Sequence, residues 1–268
     1  MKRKAWMVVA IVFGVAVLTV LAMLGVYIFS PRSKVRYVAH RGYSDLYPDN
    51  TVDSFRAAAE TTFYGIETDI YETTDGRFIC NHDEEVKFAD GSKARIDTST
   101  FAELTAKPLL NTKTDKTVYL STFEEYLEIC KAGNKIAVIE LKESCDEAKL
   151  ARILAILDEL YDRKQSSFIS FDYGNLKRLR AIDPTLELQY LSETKNDPTF
   201  EECLRDRISI DVRQTILTKK MVKEFHAAGL TVNVWTVNRK FDLNVVRIKG
   251  VDYVTTNLFH EEDGKIKE

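Results

Sequence analysis

The chain has 268 residues, 45% hydrophobic and 29% charged, with a formal net charge of −3, which places most of it among ordinary globular proteins. Its first 29 residues hold three basic and no acidic residues, so the remainder carries 35 Lys and Arg against 41 Asp and Glu. That acidic balance excludes a global attraction for nucleic acid.

The N-terminus stands apart. From Ala5 to Phe29 no residue is charged, and the run is dense in Val, Leu, Ile, Ala and Met. As a helix it rises about 37 Å, more than the ~30 Å hydrocarbon core of a bilayer. A cleaved signal peptide has a shorter apolar region and small residues at the cut. Here the run ends in Val-Tyr-Ile-Phe-Ser-Pro. Residues 1–30 are therefore expected to be a single-pass membrane anchor. Lys2, Arg3 and Lys4 precede it, while Arg32, Lys34 and Arg36 follow it closely. The positive-inside bias is slight but puts the N-terminus in the cytoplasm and the rest of the chain outside it, at the cell membrane.

Residues 31–262 read as one domain, followed by a polar, loose tail at 263–268. Strands are expected at Val35–Ala39, Gly65–Ile70, Arg77–Asn81, Lys135–Leu141, Ser166–Phe171, Leu186–Leu191, Ile208–Val212, Thr231–Val237 and Val251–Thr255. Helices are expected near Thr51–Thr62, Thr122–Ala132, Asp146–Arg163, Tyr173–Ile182, Thr218–Ala228 and Lys240–Ile248. In the third of these, Leu150, Ile153, Leu154, Leu157 and Tyr161 recur at the spacing of one buried helix face. Alternating strands and helices mean an α/β fold with a mostly parallel sheet, and no Gly-rich nucleotide loop favours an open one. A (β/α)8 TIM-type barrel is expected, since the chemically able residues fall at the ends of several strands. Nine strand candidates serve eight barrel positions, so one lies outside. Asp69 and Phe78 are too close for a crossover helix, so the second unit is irregular, and residues 84–121 form a short insertion. The four cysteines, Cys80, Cys130, Cys145 and Cys203, show no CxxC spacing; they permit disulfides without requiring them and suggest no zinc site.

Within Ile66-Glu67-Thr68-Asp69-Ile70, alternation points Glu67 and Asp69 to one face. Facing a barrel interior, two carboxylates need a cation or a proton between them; on an edge strand they would simply be solvated. Glu140 and Lys142 share a face by the same rule, either as a structural ion pair or as a third carboxylate with a phosphate-binding ammonium. An all-carboxylate set suits Mg2+ or Ca2+ better than zinc. His40 ends the first strand and His82 the third, and two imidazoles on the carboxylate side suit an acid–base pair. His226, within a helix, and His260, near the tail, read as structural. Arg41 offers a planar fork for phosphate, and Trp235 ends a strand where core and ligand-facing roles both remain open.

In order along the chain stand His40-Arg41-Gly42, Pro48-Asp49-Asn50-Thr51, the pair Glu67 and Asp69, Asp75-Gly76 before His82-Asp83, Ser121-Thr122-Phe123-Glu124-Glu125, Ile139-Glu140-Leu141-Lys142, Ser170-Phe171, Val234-Trp235-Thr236-Val237-Asn238 and Gly250-Val251-Asp252. This series resembles the glycerophosphodiester phosphodiesterase family, over roughly Val35 to Phe259. The resemblance implies a phosphoric diester hydrolase acting on a small-molecule glycerophosphodiester, releasing glycerol 3-phosphate and an alcohol. It implies His40 and His82 as general acid and base, one divalent cation on Glu67, Asp69 and Glu140, and substrate contacts from Arg41, Lys142 and Trp235. Asp49 stands where the family usually has glutamate, and Asn257 where it often has aspartate. A lysophospholipase D, a cyclising phosphodiesterase and a silent surface-binding module are the alternatives. The anchor joins the start of the first strand, opposite the catalytic face, so the site is expected to face away from its own membrane.

Overall fold

Eight short strands, apolar on the side that meets the helices, pair in parallel and close on themselves. They are β1 (Arg36–Ala39), β2 (Gly65–Glu72), β3 (Ile136–Leu141), β4 (Ser166–Ser170), β5 (Glu187–Ser192), β6 (Ser209–Arg213), β7 (Val232–Trp235) and β8 (Tyr253–Thr256). Each neighbours the next, and β8 returns to β1. This computed structural model describes residues 2–29, 33–262 and 265–267; within 2–29, side chains are described for Trp6 and residues 11–25. The expected (β/α)8 barrel is what the described residues form.

The candidate left outside the barrel is the third. Phe78–Cys80 pairs antiparallel with the end of β2, Ile70 facing Cys80, across a turn in which Gly76 adopts φ +78°. A two-residue strand, Ser121–Thr122, extends this flap. Between them, residues 84–121 contain a hairpin of Glu85–Lys87 with Lys93–Arg95 and a short helix, Phe101–Thr105. Val86, Phe88, Ile96 and Leu104 give this insertion a small core of its own against Tyr71 and Ile79.

The six expected helices form at Val52–Ala59, Phe123–Ala132, Glu147–Leu160, Tyr173–Ile182, Lys219–Ala227 and Lys240–Lys249. Their starts follow from local chemistry. Thr122 accepts from the Glu125 amide at 3.0 Å while Glu125 Oε2 accepts from the Thr122 amide at 2.9 Å, a reciprocal cap. Gly229, at φ +70°, follows the helix that ends at Ala227 and its capping residue Ala228. The third helix stops at Leu160, short of Arg163, because Tyr161 is extended and Asp162 caps a separate turn over Arg163–Gln165. A helix at Thr199–Asp206 escaped the sequence reading, since it buries only Cys203. All four cysteines are free and buried.

Two terminal expectations fare differently. His260–Glu262 and Lys265–Lys267 pair antiparallel where a loose tail was expected, and Ile266 packs on the main core. Residues 263, 264 and 268 of that tail, and 30–32 of the linker, lie outside the described residues. At the other end, Lys2–Phe29 is one helix of 28 residues. Its described apolar side chains, among them Phe13, Leu18 and Met23, are exposed on all sides. Among the described residues no helix is long and apolar enough to cross a membrane.

Candidate active site

The barrel brings its chemistry together at the C-terminal ends of β1, β2 and β3. Glu67 and Asp69 point inward from β2, while Ile66 and Ile70 pack outward on the main core. In β3, Glu140 lies beside Asp69 in register. The three residues are deeply buried, at 2%, 0% and 8% exposure. One oxygen from each falls within 4.8 Å of the others, so these three residues could hold a metal ion.

Two cations serve this group. Lys142 Nζ lies 2.9 Å from Glu140 Oε1 and 3.3 Å from Asp69 Oδ1, and Arg41 Nε lies 3.4 Å from Asp69 Oδ2. Asn50 Nδ2 donates to Asp69 Oδ2 at 2.9 Å, and its Oδ1 accepts from the Thr68 hydroxyl at 2.8 Å. Burial, reinforced by Asp69 and Glu140, pushes the Glu67 carboxyl well above its ordinary range. Burial and Asp69 push Glu140 up to about 7. Burial acts on Asp69 in the same direction, but Arg41 and Lys142 outweigh it and hold that carboxyl low. Burial opposes the charge on Lys142, yet Asp69 and Glu140 hold its ammonium up to about 12. Asp69 Oδ1 also has no hydrogen-bond partner among the described residues. Three inward carboxylates against two flanking cations fit a hard divalent cation, which would supply the missing positive charge.

The loop after β1 locks the entrance. Arg41 sits at φ +56° and Gly42 at φ +80°, which turns the Arg41 amide onto Glu67 Oε2 at 2.8 Å. A Cβ on Gly42 would fall 2.4 Å from Ser54 Oγ and 2.7 Å from the Ser54 backbone carbon. That Ser54 hydroxyl donates to the Arg41 carbonyl at 3.0 Å. The spaced motif residues 40–42 and 50–54 are thus one packed unit.

His40 is half-buried, with Nδ1 2.8 Å from Asn257 Oδ1. Burial and the neighbouring Arg41 charge lower its pKa to about 4. His82 follows the flap strand, its Nδ1 2.9 Å from Asp83 Oδ1. Lys87 and His82 hold the Asp83 carboxyl down to about 2. His40, Arg41, Glu67, His82, Glu140, Lys142 and Trp235 line one cavity of about 130 Å3. Trp235 meets Phe171 edge-on at 5.8 Å to form its apolar wall. A wider groove of about 260 Å3 adjoins it, sharing Arg41 and His82 and walled by Lys87, Leu110 and Lys113 of the insertion. All eight residues singled out from the sequence therefore converge. His226 instead pairs with Asp252 at 2.8 Å, and His260 packs against Tyr43 and Phe63.

Sequence reasoning missed Asn50, Asn257, Phe171 and Asp211. The first three already lay in or beside quoted motifs, but their contacts come from loops meeting in space. Asp211 carried a readable signal, being on the same face of an apolar strand as Ser209.

A family model described as the glycerophosphoryl diester phosphodiesterase family matches residues 40–260. A glycerophosphodiester phosphodiesterase of Bacillus altitudinis is 27% identical over 86% of this chain and 97% of its own. An Oleispira antarctica phosphodiesterase, solved with the product sn-glycerol-3-phosphate, superposes with a TM-score of 0.75 at 22% identity, covering 86% of this chain and 94% of that one. A Thermotoga maritima glycerophosphodiester phosphodiesterase gives 0.67 at 26% identity over 84% and 95%.

Gly42→Ala combines positive φ with a backbone clash, so it should cost about 2 kcal/mol or more and lower the melting temperature by several degrees. Activity should fall with it as the Arg41 amide leaves Glu67; calorimetry and turnover read both effects. The His40 shift sets a pH dependence. Its folded pKa, about 4, lies below the ordinary 6.5, so on acidification the unfolded chain takes up the proton first. This contribution to stability is present above about pH 6.5 and is lost towards pH 4. Urea midpoints at pH 7 and 4.5 should differ less in His40→Asn than in the unsubstituted chain.

Proposed function

The chain belongs to the glycerophosphoryl diester phosphodiesterase family, and from that premise we propose that it hydrolyses glycerophosphodiesters to glycerol 3-phosphate and an alcohol. One observation carries the reading: His40, His82, Arg41 and Lys142 ring a single cavity whose buried rim is Glu67, Asp69 and Glu140. Those three carboxylates would hold one divalent cation, Mg2+ or Ca2+, which supplies positive charge against the phosphoryl oxygens in the transition state.

The chain's own side chains do the rest. The Arg41 fork and the Lys142 ammonium bind and orient the diester. With Nδ1–H donating to Asn257 Oδ1, His40, which lines the cavity, keeps Nε2 unprotonated, so it accepts the proton of the attacking hydroxyl. Asp83, held anionic, accepts the Nδ1–H of His82 and fixes the ring's orientation, so that His82 protonates the departing oxygen. The new phosphorus–oxygen bond forms on the His40 side as the ester bond breaks on the His82 side. The alcohol leaves into the wider groove, which His82 borders. Trp235 and Phe171 pack against the carbon skeleton that stays behind.

The attacking hydroxyl belongs to water or to the substrate's own glycerol, and phosphorus NMR of early products separates these by the presence of a cyclic phosphate. In a coupled assay for glycerol 3-phosphate, EDTA should abolish release and Mg2+ or Ca2+ should restore it. His40→Ala and His82→Ala should each lower kcat by about 100-fold or more while changing KM by a few fold. Near-normal turnover in either variant contradicts the assignment.

Residues 1–30 serve, on this reading, as a single-pass anchor that holds the barrel on the extracytoplasmic face of the cell membrane. The uncharged run from Ala5 to Phe29 and its helical backbone support this. The catalytic ends of the strands lie opposite the β1 start that the anchor feeds, which favours soluble diesters over lipids of the same bilayer. Protease added to intact cells should remove the barrel and leave the helix in the membrane fraction; a protected barrel reverses the orientation.

A further inference from the structure

Asp211 lies in β6 and lines the same cavity, yet the mechanism above gives it no task. Its side chain is 1% exposed. Oδ2 accepts from Asn233 Nδ2 at 3.0 Å, whereas Oδ1 has no partner among the described residues. Asn233 does not depend on this contact, because its Nδ2 also lies 3.3 Å from Gln189 Oε1 and 3.2 Å from Thr255 Oγ1. Among the described residues no cation pairs with this carboxyl, and the charge of Glu140, which acts on it, has the same sign. An apolar cluster of Val38, Val138, Ile169 and Leu191 packs between the strands, and Ile169 and Leu191 line this cavity too, so a leucine at 211 would suit the site better as packing. A buried, half-satisfied carboxyl costs stability unless a ligand completes it.

The chemistry of that ligand is constrained. Phosphate is excluded by charge, since the group to be completed is a carboxyl and the cavity's cations, Arg41 and Lys142, engage Asp69 and Glu140 instead. A hydroxyl satisfies Oδ1 in either state, donating to a carboxylate or accepting from a carboxylic acid. The wall beside it is aromatic, Trp235 being held by its Nε1 donating to the Asp211 main-chain carbonyl at 3.2 Å. A short polyol with an apolar face and free hydroxyls matches both surfaces. We propose that Asp211 determines specificity by hydrogen-bonding a hydroxyl of the glycerol arm through Oδ1, so that the cavity selects diesters carrying that arm. This rests on the hydrolase reading above.

The test compares glycerol 3-phosphate with propyl phosphate, which lacks both hydroxyls, as ligands of the full chain in detergent with saturating Mg2+, by calorimetry. The unsubstituted protein should prefer glycerol 3-phosphate by well over tenfold, since unpaired buried polar groups penalise the analogue. In Asp211→Leu that preference should shrink about tenfold through weaker glycerol 3-phosphate binding alone, with an equal or higher melting temperature. Asp211→Asn, which keeps a polar atom at the site, should retain most of it and serves if the leucine variant does not fold. An unchanged preference in Asp211→Leu, or equal loss for both phosphates, overturns the inference. So does an unsubstituted protein that does not discriminate. Hydrolysis of glycerophosphocholine by Asp211→Leu at unchanged kcat/KM also overturns it and leaves the hydrolase reading standing. Selective binding without any hydrolysis by the unsubstituted protein does the reverse.

Discussion

Three carboxylates buried within a few ångströms of one another are the constraint around which this barrel is arranged. Left alone they repel, and burial removes the water that would screen them. Arg41 and Lys142 answer part of that charge: both touch Asp69, and Lys142 also touches Glu140. Burial and the neighbouring acids still push the Glu67 and Glu140 carboxyls upward, so two cations do not balance the group. A site that is electrostatically incomplete in its own residues could hold a cation, and the proposed function adds the phosphate that the cation and the two basic side chains would share.

Much of the surrounding structure reads as scaffolding for that arrangement. Adjacent parallel strands place Asp69 beside Glu140, because β2 and β3 pair without a register break. The left-handed backbone at Arg41 and Gly42 turns a main-chain amide onto Glu67, and Ser54 fastens the turn from the next helix. Asn50, itself in the left-handed region, spans Thr68 and Asp69. These residues touch the acids or their supports, so their role is to hold the charges in place. The two histidines stand in unlike surroundings, one half-buried against a neutral amide and one beside a carboxylate, and the proposed division of proton transfer rests on that asymmetry.

The legible part of the fold was the part with a strong period. Alternation in Ile66–Ile70 and Val138–Lys142 placed the acids, and strand ends placed His40 and His82. The count of nine strands for eight places already required an outsider, and the short span from Asp69 to Phe78 marked that unit as irregular without saying which strand was displaced. Other features had no local signature. The helix Thr199–Asp206 buries a single residue, so its sequence looks like a polar loop. The hairpin at the C-terminus depends on Ile266 finding the core, which no short window reveals. Asn257 reaches His40 across more than two hundred residues, and only closure of the barrel between β8 and β1 brings them together. Asp211 is the instructive case: its face was readable from alternation, but its meaning depends on an oxygen left without a partner.

The central claim is that Glu67, Asp69 and Glu140 form a binding site for one divalent cation. Calorimetric titration of the metal-stripped protein with Mg2+ and with Ca2+ tests it most directly, alongside Asp69→Asn. The account predicts one ion bound per chain, proton release at neutral pH as the raised carboxyls ionise, and loss of binding in the variant. No binding at millimolar ion, with glycerol 3-phosphate still released in EDTA, would contradict it.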